Sequence, residues 1–185
     1  MTRLGRPRRY DLQRLTDVAF ACSDFALWAA ALDELRERVI DQIADLPPGA
    51  LAFVPDRTTL SVAALVEHLV WAEAGWIERV SGIAAPADLS AEVLAAGRAI
   101  PAGEPVSPDV GGGTLVTLCR RVRDELTVPA LAALTDPEAR LADGGPALTV
   151  REVLMHLAWH WTYHSGQIGL LRELWGAGYG WRFAV

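Results

Sequence analysis

Three of the four histidines of this chain fall in one stretch, Arg151 to Gly169, which reads REVLMHLAWHWTYHSGQIG and places them at 156, 160 and 164. A step of four residues turns only about 40° around an α-helix, so a helix here carries His156, His160 and His164 along one stripe. Thr149, with Glu152 three residues on, is a capping-box pattern in which each side chain satisfies a free backbone N–H at a helix start. No Gly or Pro interrupts the run before Gly166, so the spacing predicts a long helix ending near Gly176 or Gly178.

The rest of the chain has to bury that helix. Its 185 residues, 51% of them hydrophobic, suffice for one domain with a large core and no disulfide staple. A net charge of −6 argues against nucleic acid as the main partner. Cys22 and Cys119 make neither a metal-type pair nor a disulfide framework, which fits a reducing cytoplasm. No uninterrupted apolar run approaches about 18 residues, so no membrane span is expected. The opening MTRLGRPRRY is basic but has no apolar stretch behind it, unlike a secretory signal. Residues 1–22 read as a basic arm and 23–185 as one helical domain.

Four long helices are predicted. The first starts at Ser23 as N-cap and buries Phe25, Trp28, Leu32, Leu35, Val39, Ile43 and Leu46. Glu34, Arg36, Glu37, Arg38 and Asp41 cover its remaining faces, and Pro47-Pro48-Gly49 ends it. Leu51 to Val54 allows only a brief strand, because Pro55 cuts it short. The second helix runs from Thr59 or Ser61 to Ser81, stopped by Gly82, with His68 on its apolar face. A short helix from Ser90, its N-cap, to about Ile100 and a Pro/Gly loop beyond it make a long crossover connection. The third helix starts near Gly113 or Thr114, turns Arg120, Arg121, Arg123, Asp124 and Glu125 to water, and is kinked or split in two at Pro129. Residues 135–148 are a turn-rich link, and the aromatic tail YGWRFAV packs back on the bundle.

The two histidine-bearing helices echo each other. LSVAALVEHLVWA, starting at Leu60, lies over LTVREVLMHLAWH, starting at Leu148, with Leu, Val, His-Leu and Trp coincident. The fold class that follows is all-α: a four-helix bundle with an approximate internal repeat of helix pairs.

All four histidines then lie on two helices. Imidazoles suit zinc, nickel, iron or copper, and three protein ligands with an open position mark a catalytic rather than a structural ion. An HxxxH pair on an amphipathic helix is, taken alone, ordinarily two unrelated histidines. Here no histidine is spent elsewhere. The zincin protease signature requires Glu after the first His, and Trp161 stands there instead.

HLAWHWTYHSGQIGLLREL closely resembles the last-helix motif of the DinB-like (YfiT-like) proteins, and TLSVAALVEHLVWAEAGWI resembles their second-helix motif. The likeness spans roughly residues 23–175. It implies a four-helix bundle, often a homodimer, that holds a divalent ion such as zinc, nickel or iron through His68, His160 and His164. It further implies a small-molecule substrate and, in several branches, a low-molecular-weight thiol as cosubstrate. Metal-dependent hydrolysis and a non-catalytic metal-binding scaffold stay open as alternatives. Gln167 is a candidate to orient a ligand or the substrate, or equally to pack between helices, and His156 to support the other histidines or fill the core rather than to be a fourth ligand. Glu67 and Glu73, either side of His68, are candidate hydrogen-bond acceptors for it or simply solvated carboxylates.

Overall fold

A computed structural model describes residues 2–6, 17–55, 60–98, 110–141 and 148–182. In chain order the elements are β1 (Arg3–Leu4), α1 (Ser23–Ile43), α2 (Pro48–Leu51), α3 (Val62–Ser81), α4 (Ala87–Arg98), α5 (Gly112–Val122), a π-helical turn (Arg123–Thr127), α6 (Val128–Ala133), α7 (Val150–Trp175) and β2 (Tyr179–Gly180). Four rods pack around one core: α1, α3, the α5–π–α6 rod and α7. The chain is therefore an all-α bundle, with α4 laid on α3 beside it.

The two helices that echo in sequence are the ones whose starts are fixed by side chains. Ser61 accepts the Ala64 N–H, and Thr149 and Glu152 close the capping box. Both end on a glycine in the left-handed region, Gly82 at φ 69° and Gly176 at φ 87°, where an L side chain would be strained. The other two proposed serine caps are corrected. Ser23 is the first residue of α1, and Cys22 occupies the cap position without a side-chain bond. Ser90 lies inside α4, which begins at Ala87, and its N–H bonds the Pro86 carbonyl. Proline before a helix presets its first turn, so α4 starts a turn earlier than a serine cap implies.

Pro48 also decides the next segment. It seeds the single turn α2, whose Ala50 and Leu51 N–H groups bond the Pro47 carbonyl, where a brief strand from Leu51 was the expectation. At Pro129 the chain does not simply kink. Proline lacks the N–H of a regular helix, and the five residues 123–127 form a π turn just before it, with Val128 N–H bonding the Arg123 carbonyl. The loop expected at 101–109, the link 142–147 and arm residues 7–16 lie outside the described residues.

The charges expected to cover α1 do not face water. Arg36 and Asp41 are fully buried, and Glu34 and Arg38 nearly so. Arg121, likewise expected in water, ties α5 to Asp88 and Glu92 of α4. Close approach of α4 to α3 depends on Gly97, where a Cβ would fall 2.2 Å from Trp71 Cδ1. The tail does return to the bundle. β2 pairs in parallel with β1, and Tyr179 donates its hydroxyl to Asp41.

Candidate metal centre

Antiparallel packing of α3 on α7 brings His68 opposite His160 and His164. The His160 Nε2 lies 2.9 Å from His68 Nε2 and 3.0 Å from His164 Nε2. The ring centroids of His68 lie 4.7 Å from His160 and 5.0 Å from His164. One ligand atom from each of the three lies within 4.8 Å of the others. Three nitrogens bound tetrahedrally to zinc at about 2.0–2.1 Å would stand about 3.3 Å apart, so the rings are spaced for one ion.

Hydrogen bonding alone does not satisfy this arrangement. The His164 Nδ1–H donates to Gln167 Oε1 at 2.5 Å, which leaves its Nε2 as a bare lone pair facing the cluster. A ring nitrogen carries either one proton or one lone pair, yet His160 Nε2 meets two partners. A proton there serves one contact well; a cation serves all three lone pairs. The Nδ1 atoms of His68 and His160 are buried and meet no partner among the described residues. Only His164 therefore has its tautomer fixed by a second hydrogen bond.

The electrostatics agree with ligand chemistry. Burial is the main cause that pushes all three imidazoles below their ordinary pKa. His160 falls furthest, to about 3, because His164, His68 and His156 add to the burial. The rings are thus neutral at pH 7, the form that binds a metal.

His156 does not join this group. It is exposed, stacks on His160 at 5.7 Å and meets the edge of Trp76. Gln167 touches the site through His164. Glu67 is half-buried, its carboxyl raised by desolvation, and it bonds neither nitrogen of His68. Glu73 is corrected outright. It is neither solvated nor near His68 Nδ1, but fully buried, taking hydrogen bonds from Arg36, Thr127 and Trp161 Nε1. This knot joins all four rods next to the histidine pair, and the sequence held a signal for it. Arg36 stands in the stripe Leu32–Arg36–Val39–Ile43 and Glu73 in Val66–Leu69–Glu73–Ile77, each a charge at an apolar position. Cys119 is no competing nucleophile, since burial raises its thiol to about 12.

Beside His164 a cleft opens along α7, walled by Leu60, Leu65, Leu170 and Leu174. The family model of the mycothiol S-transferases matches residues 27–177. The chain belongs to the mycothiol S-transferase family. The match spans both histidine helices and bears out the DinB-like resemblance. No curated protein matches the chain. As a member of the mycothiol S-transferase family, the chain brings a thiol-related lineage to a bundle with three converging imidazoles. No described helix is long and apolar enough to cross a membrane.

Proposed function

We propose that this protein joins a low-molecular-weight thiol of the mycothiol type to a small carbon electrophile, at a divalent ion held by His68, His160 and His164. The observation that carries the reading is the convergence of three neutral Nε2 atoms from two helices, in an arrangement that protons do not satisfy. An all-nitrogen set suits zinc, nickel or iron(II). When bound, the ion supplies a Lewis-acidic centre at which a thiol loses its proton near neutral pH.

The chain's own residues do the rest. Gln167 holds the proton of His164 on Nδ1 and so aims its Nε2 lone pair. Burial of His160 excludes water from the protein side of the site. The thiolate sulfur attacks the electrophilic carbon, the carbon–sulfur bond forms, and the leaving group departs with its electron pair. The thiol proton goes to solvent, so the sum is a thioether and an acid. This chemistry belongs in a reducing cytoplasm, where such thiols persist. The unit that performs it is the bundle from residue 23 onward, residues 1–22 being a basic N-terminal arm, with two copies paired as a homodimer.

The test supplies mycothiol, glutathione, bacillithiol or no thiol with an alkylating electrophile, before and after chelation and metal return. The reading expects conjugation with mycothiol, lost on chelation and restored by the ion. Ester or amide cleavage that needs the metal but no thiol would favour a hydrolase. Metal binding with neither activity leaves a scaffold.

A further inference from the structure

The leucine-walled cleft has a shape and chemistry of its own. Its volume is 310 Å³. At roughly 30 Å³ per water-sized group, that admits about ten non-hydrogen atoms. A helix of a partner protein, about 10 Å across, does not fit. Polar groups stand at one end, where His164 and Gln167 form part of the wall. Away from them the described wall is apolar, made of Pro55, Leu60, Leu65, Leu170, Leu171 and Leu174. Leu170 and Leu174 are 60% and 55% exposed, large apolar side chains that the fold does not cover.

We propose that this cleft seats the electrophile, and that the electrophile is an uncharged molecule with a short apolar tail. Its reactive carbon lies at the His164 end and its tail runs along α7 toward Leu174. The inference rests on the thiol-transfer reading. Mycothiol itself, a cysteine derivative bearing two hydroxylated rings, is a poor occupant, because its hydroxyls lose water against leucine without regaining hydrogen bonds. A carboxylated electrophile fails for the same reason, more severely. The reaction balances as a displacement: an N-alkyl bromoacetamide and the thiol give a thioether, bromide and a proton.

Two measurements separate this proposal from its parent. The first is binding of unreactive N-alkylacetamides, from methyl to hexyl, to metal-free protein by saturation-transfer NMR. Affinity is expected to rise about three- to fourfold per added methylene while the chain stays inside the cleft. Leu170→Lys and Leu174→Lys, at exposed positions where folding is preserved, are expected to abolish that rise. The second is conjugation of mycothiol to the matching bromoacetamides by the metal-loaded enzyme. Here kcat/KM is expected to climb with the same series, and to stay flat when the tail ends in a carboxylate. No chain-length dependence of binding, or an unchanged series in both variants, overturns the cleft's assignment. Graded binding without conjugation of any electrophile contradicts the thiol-transfer reading and leaves the cleft an apolar seat.

Discussion

The Gln167 carboxamide has one clear task, to accept the Nδ1–H of His164. Acceptors of this kind typically contribute ten- to a hundredfold to metal affinity. Gln167→Ala should therefore weaken divalent-ion binding about tenfold or more, measured by competition with a chromophoric chelator. The melting temperature of the metal-free protein should barely move, because Gln167 is half-buried and its side chain bonds His164 within the same helix. Unchanged affinity would show that the bond is incidental. At this scale the sequence was readable where spacing decides. A repeat of four puts His160 and His164 side by side, and the likeness to a known motif adds His68. His156 shares that spacing but lies one turn nearer the start of α7, where it meets Trp76 of α3 rather than His68 and is left exposed. The partner of Gln167 was not readable, since three residues of separation permits the contact without requiring it.

At the scale of the element, α1 and α3 are pinned by charge as much as by apolar contact. Glu73 meets Arg36 of α1, Thr127 of the π turn and Trp161 of α7, and Arg36 lies 5.6 Å over the Trp161 ring. Removing one side of a buried pair leaves an uncompensated charge, at a cost of about 3–5 kcal/mol. Glu73→Leu should destabilise the protein by about that much in urea unfolding, whereas Glu73→Leu with Arg36→Met should recover most of it. Equal losses for the single and double variants would mean that the pair is not the source. Helix boundaries were legible where a side chain closes a cap, at Ser61 and Thr149, and misread where a serine happens to stand in a first turn. Ser23 and Ser90 carry the right side chain, but the backbone around them is already helical. The kink or split expected at Pro129 takes the form of a π turn, because a missing N–H can be absorbed by bending, breaking or widening the helix, and composition does not choose among them.

Across the whole molecule, the two ends of the described chain meet over the C-terminal part of α1. Asp41, which burial alone would raise, is held below the usual carboxylate range by hydrogen bonds from Tyr179, the Arg6 backbone and Arg3. Asp45 behaves alike: burial raises its carboxyl, but Arg172 and Arg3 together outweigh that and lower it. A carboxylate with a depressed folded pKa stabilises fully above its unfolded value of about 4, and that stability is lost as pH falls through the folded value. Tyr179→Phe should thus lose little more than its one hydrogen bond in strong acid but more at pH 7, so the gap from wild type narrows as pH drops below about 4. A gap independent of pH would dissociate Asp41 from the clasp. The bundle itself was legible from four apolar periodicities and the stops between them. The terminal clasp was not, because two-residue strands leave no periodic trace.

All of this bears on function only if the three imidazoles take an ion. The direct measurement is elemental analysis of the protein after dialysis against zinc, nickel or iron(II), with His68→Ala, His160→Ala and His164→Ala carried alongside. The account predicts about one divalent ion per chain in the wild type, retained through dialysis, and a near-complete loss in each variant while helicity is preserved. Wild type that holds no more metal than the variants, or variants that keep it, would contradict the shared site.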